Sequence, residues 1–78
     1  MTGELINSSA NAYRLKQSNY GVILRNDNNS FCILLTNSGS PSGSYNSLRP
    51  FRINLPDGRV TIGNGLSVTG TIVGSSTI

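Results

Sequence analysis

Histidine and tryptophan are absent from these 78 residues, cysteine occurs once, and acids number only three. Each shortage closes a door. Without histidine, neither a Ser-His-Asp nor a Cys-His catalytic arrangement can be assembled. With one thiol, Cys32, no bridge can form within the chain, and a structural zinc site lacks its ligands. Cys32 lies in the apolar run Phe31-Cys32-Ile33-Leu34-Leu35, where a thiol behaves as a small buried hydrophobe. Glu4, Asp27 and Asp57 are far apart in sequence and show no calcium-loop spacing. A glycosidase-type carboxylate pair needs two acids within about 5–9.5 Å, and nothing in the sequence brings Asp27 and Asp57 together. No metal, cofactor or enzymatic activity is therefore expected.

Long hydrophobic runs are also missing. No window approaches the roughly 18 apolar residues of a membrane span, and the N-terminus lacks the basic-then-apolar order of a signal peptide. The sequence reads as a soluble chain with no membrane insertion. Its net charge of +3 comes from scarce acids, because the six Lys and Arg residues are spread along the chain. Nucleic-acid surfaces cluster basic residues with stacking aromatics. Here Arg49, Phe51 and Arg52 form the single such cluster, and arginines that merely cover an apolar residue explain it better. No nucleic-acid partner is expected.

What the chain does have is Ser, Asn, Thr and Gly, alternating with apolar residues. From Ala12, Tyr13 and Leu15 alternate with Arg14 and Lys16, which predicts a half-buried strand with the tyrosine inward. Tyr20 to Arg25 and Ser30 to Thr36 are strand-like, and Asn26-Asp27-Asn28-Asn29 between them favours a tight turn. The two make a β-hairpin. Residues 37–47 form a Ser/Gly/Pro loop whose composition predicts a flexible excursion. Its one large side chain, Tyr45, is the best candidate for ligand contact, with anchoring of the loop an equal alternative, and Tyr13 and Tyr20 are expected in the core.

After Pro50, which starts a strand at an edge or only beyond itself, Phe51, Ile53 and Leu55 share one face. Pro56-Asp57-Gly58 is a turn, because proline fixes φ and glycine supplies a positive one. Arg59 to Ile62 returns as a second hairpin. On a strand, Arg49 and Phe51 would share a face and Arg52 would point away. Beyond, Val60, Ile62, Leu66, Val68 and Ile72 hold one parity across the Gly63-Asn64-Gly65 turn, which predicts short, closely stacked strands. The tail from Val73 to Ile78 has the look of a chain that continues.

The stretch Leu48 to Ile72, LRPFRINLPDGRVTIGNGLSVTGTI, resembles the fibrous and near-tip regions of phage and prophage tail fibres. The block SNYGVILRNDNNSFCILLTN resembles the globular β-module that precedes such a phrase. Together they cover about two thirds of the chain. The histidine-bearing GxHxH repeats of some long fibres are lacking. The resemblance implies a homotrimeric β-fibre segment in a virion, made in the host cytoplasm and assembled with help from neighbouring fibre domains or a chaperone. It also implies a role in presenting or contributing to attachment to bacterial surface polysaccharide or outer-membrane protein.

Physics favours the same assembly. A chain of this size with 36% apolar residues struggles to bury a core alone, and disulfide and metal supports are already excluded, which leaves oligomerisation. The expected fold is all-β: short antiparallel hairpins leading into an elongated, intertwined trimeric β-fibre segment. Residues 1–47 would be a globular β-module with the long loop, and 48–78 a hairpin with a fibrous segment. Val60, Ile62, Leu66, Val68 and Ile72 would form the trimer core, and Tyr45, Arg49 and Arg52 the binding residues. A carbohydrate-binding β-module that recognises a host glycan directly is the competing reading.

Overall fold

A computed structural model describes residues 3–76. Thr77 and Ile78, the last of the expected fibrous segment, lie outside the described residues. The five strands are β1 (Asn11–Lys16), β2 (Gly21–Asn26), β3 (Ser30–Leu35), β4 (Phe51–Asn54) and β5 (Val60–Thr61). They pair in sequence order as one antiparallel sheet, and the described residues contain no helix. All-β architecture and both expected hairpins are observed.

The turns are held by the residues that predict them. Between β2 and β3, Asn28 adopts a φ of 76°. The Asp27 carboxylate accepts hydrogen bonds from the amides of Asn29 (3.0 Å) and Ser30 (2.9 Å), the local bonding that makes Asp and Asn turn formers. Between β4 and β5, Gly58 takes the left-handed conformation at φ 76°. There the Asp57 carboxylate accepts from the Arg59 amide (3.0 Å) and the Asn54 side chain (2.8 Å). Because Ser30 pairs with Asn54, both turns sit at one end of the sheet, joined by the Leu55 amide donating to the Asn29 carbonyl at 3.0 Å.

The Ser/Gly loop departs from its expected flexibility. It folds back across one sheet face and is pinned there. Tyr45 bridges to Thr36, and the Asn46 amide donates to the Leu35 carbonyl at 2.8 Å. Arg14 donates to the carbonyls of Pro41 and Gly43, both at 2.9 Å. The loop lies so close to β2 that a Cβ at Gly21 would come within 2.3 Å of the Pro41 carbonyl oxygen, so a residue without a side chain is required there. Backbone carbonyls hold this loop, and composition does not reveal them.

Beneath the loop, the buried hydrophobic core among the described residues is Ile23, Cys32 and Leu34, with Tyr45 packed against it. That is little for 78 residues. A compact monomer of 8.3 kDa exposes about 4,600 Å², whereas this chain exposes 6211 Å². Its radius of gyration, 15.0 Å, exceeds the ~11.5 Å of a compact domain of this length. Beyond Thr61 no further strand forms among the described residues, so the even-numbered parity of the C-terminal segment is not realised as paired strands within one chain. The Gly63 amide still donates to the Arg49 carbonyl at 3.2 Å, and no ladder forms past it among the described residues.

Candidate assembly and binding surfaces

Side chains alternate across a sheet, so the register assigns every strand residue to one of two faces. On the first face Tyr13 pairs with Leu24, and Leu15 with Val22. Val22 then faces Leu35, and Leu24 faces Ile33. Ile33 faces Phe51, Phe31 faces Ile53, and Ile53 faces Val60. The result is one continuous apolar surface over all five strands without a charged residue. Nothing among the described residues covers it: every member is partly or fully exposed, Tyr13 at 59%, Leu15 at 55% and Val60 at 51%.

Tyr13 and Leu15 are therefore on the open face, and Ala12 and Arg14 point towards the loop, the reverse of the expected inward tyrosine. A bulge between Asn11 and Tyr13 shifts the start of β1. More decisively, the loop needs Arg14 as its donor. Tyr20, also expected in the core, is 56% exposed, since it closes the turn by accepting from the Gln17 amide at 3.0 Å.

The second face carries the small core and, beyond it, a cationic depression of about 240 Å³. Arg25 and Arg52 flank Cys32 directly across the strands. Tyr45 and Arg49 overhang from the loop side, and Asp27 and Ser30 complete the lining. The guanidinium carbons of Arg25 and Arg49 lie over the Tyr45 ring, 5.5 and 5.2 Å from its centre, within cation–π range. Arg25 donates to Asn11 Oδ1 at 2.6 Å. Arg49 donates to the carbonyls of Asn46 (2.7 Å) and Leu48 (2.8 Å). The hydrogen bonds from the Ser30 and Asn29 amides, with Arg25 nearby, hold the Asp27 carboxyl below its ordinary range. The Arg59 amide and the Asn54 side chain do the same for Asp57.

The structure thus brings Tyr45, Arg49 and Arg52 around one depression. Arg49 does not share a strand face with Phe51. The strand begins only at Phe51, after Pro50, so alternation does not extend back to Arg49, and Arg52 joins Arg49 while Phe51 faces away. Arg25 belongs to the same group and was missed, because its place depends on the β2–β3 register. Of the expected trimer core, Val60 lies on the open apolar face, and Ile62, Leu66, Val68 and Ile72 are exposed at 39–68%. The wider apolar face was also missed, though a signal existed. The unbroken run Phe31 to Leu35 marks a strand with apolar groups on both faces.

Comparison with known proteins gives this surface a context. Residues 1–53 match the family model described as the long-tail fiber proximal subunit, C-terminal, trimerization domain. The chain is 47% identical over 70 residues to tail fiber protein S of Escherichia phage Mu, covering 90% of this chain and 14% of that protein. It is 46% identical over 66 residues to the long-tail fiber proximal subunit of Enterobacteria phage T4, covering 85% and 5%. With the long tail fiber protein Gp37 of Enterobacteria phage T2 the identity is 39% over 79 residues, covering 87% and 6%. The chain spans at most 14% of the length of these relatives.

Proposed function

Because this chain belongs to the phage long-tail-fibre trimerization family, we propose that three copies pack their open apolar faces around a common axis as a structural, non-catalytic module of a tail fibre. One observation carries this reading: the surface from Tyr13 across to Val60 is continuous, free of charge and uncovered among the described residues of the single chain. Each such side chain contributes about 1.5–3 kcal/mol when fully buried. A closed three-fold arrangement buries one patch from each copy at a shared axis. Ile62, Leu66, Val68 and Ile72 extend that contact along the fibre, where each chain supplies the neighbour that the others lack.

In this arrangement the loop-covered face, with Tyr45, Arg49 and Arg52, points outward. The module sits in the virion's tail fibre, made in the host cytoplasm, contacts neighbouring fibre domains, and presents or contributes to attachment to bacterial surface polysaccharide or outer-membrane protein. A non-catalytic role accords with the lack of histidine and with two aspartates already engaged in turns. Sedimentation equilibrium of the full chain tests the assembly. A mass of three times 8.3 kDa is expected; a stable folded species of 8.3 kDa contradicts it and favours the alternative, a monomeric glycan-binding module.

A further inference from the structure

We propose that the depression formed by Arg25, Arg49 and Arg52 beside Tyr45 is a binding site for a phosphoryl group, free or carried on a sugar. Its chemistry is contained in one chain, and only its outward exposure rests on the packing proposed above. Across the sheet, Arg25 and Arg52 flank Cys32, so their backbones are two strand spacings apart, roughly 9.5 Å. Arg49 overhangs the same space from the loop. Three arginines therefore line one small volume, two of them with their guanidinium groups over the Tyr45 ring, and Asp27 is the single carboxylate in that lining.

That carboxylate does little to neutralise them. One of its oxygens accepts from the amides of Asn29 and Ser30, and the other lies 3.7 Å from Arg25 Nε. Arg49 and Arg52 have no acidic partner among the described residues. Three cations and one anion leave a local charge of +2. A phosphomonoester carries about −1.5 to −2 at neutral pH, which matches that excess. A neutral sugar would leave it uncompensated.

Geometry supports the same choice. Arginine presents a planar set of donors suited to paired phosphate oxygens. Two of the three are already held. Arg25 is fixed by Asn11 Oδ1, Arg49 by the Asn46 and Leu48 carbonyls, and both by the Tyr45 ring. Ligand binding then loses less side-chain freedom than it would with mobile arginines. Tyr45 acts in this site as the platform that positions two guanidinium groups. Stacking a sugar on the ring is a lesser role, because those groups already lie over it.

Nuclear magnetic resonance titration of the full chain tests the site, with inorganic phosphate, a hexose 6-phosphate, the unphosphorylated hexose, and sodium chloride at matched ionic strength. Saturable shifts at Ser30, Tyr45 and Arg52 are expected with both phosphates and not with hexose or chloride. Arg52→Gln, at an exposed position, should weaken binding by at least about tenfold without changing the sedimentation mass, as loss of one charged hydrogen-bond donor implies. Arg49→Gln should do the same. Tighter binding of the hexose phosphate assigns the site to a phosphorylated glycan, and equal binding assigns it to the phosphate group alone. Phosphate shifts that match those in chloride, or unchanged affinity in both variants, overturn the proposal. Failure of the trimer leaves this readout intact, so the two proposals fall separately.

Discussion

The two faces of this sheet are built from the same strands, yet they solve burial in opposite ways. One is covered by the chain's own loop, which seals Ile23, Cys32 and Leu34 and gathers arginines at its margin. The other carries more apolar residues, no charge and, among the described residues, no cover. The better-covered face is thus the one with less to bury. A sequence optimised as a monomer would close its loop over the larger apolar surface. This one spends its loop on the smaller, and that difference is the ground for proposing the bare face as the meeting place of other copies.

The comparison breaks most severely if a charge is placed on the bare face. Ile33→Glu puts a carboxylate at the centre of the proposed interface, and burying an unpaired ion costs several kcal/mol in each copy. Sedimentation should show no trimer, with the chain unfolded or aggregated. The covered face should be less sensitive. Gly21→Ala drives a methyl into the Pro41 carbonyl, an overpacking of about 1–3 kcal/mol. Thermal unfolding should shift down by several degrees while the trimeric mass is kept.

The turn end of the sheet gives a smaller effect that depends on pH. Asp27 and Asp57 are both held below the ordinary value of 3.8 in the folded chain. Their contribution is therefore fully present above that value and lost as pH falls through the lowered folded pKa values. Melting temperature should be flat from neutral pH down to weak acid and fall below it, and Asp27→Asn with Asp57→Asn should flatten the fall. Smallest of all, Arg52→Gln should change stability by no more than about 0.5 kcal/mol, as denaturant unfolding can check, because Arg52 is exposed and anchors no loop.

How much of this was legible in the residues follows the range of the forces involved. The β2–β3 and β4–β5 hairpins were readable, because Asn26 to Asn29 and Pro56-Asp57-Gly58 encode their turns locally. Tyr45, Arg49 and Arg52 were candidates for binding as residue types in a loop and beside a proline, and the structure places them on one depression. Their convergence with Arg25 was not readable, since it depends on the pairing of Arg25, Cys32 and Arg52 across three strands. The facing of β1 was misread for a related reason. Tyr13 and Leu15 do form an apolar stripe, but the loop that covers the other face is anchored by Arg14 through backbone carbonyls that any residue could supply. The parity from Val60 to Ile72 was visible, but among the described residues only Val60 and Thr61 of it are paired, as β5.

The most direct test of the bare face is hydroxyl-radical footprinting of the assembled protein, read side chain by side chain. Leu5 and Ile6, 81% and 79% exposed, provide the fast reference, and buried Ile23 and Leu34 the slow one. If three copies meet on this face, Tyr13 and Leu15 should be protected towards the buried reference once their intrinsic reactivities are allowed for. Labelling at the rate expected for their 59% and 55% exposure in a single chain would contradict the account.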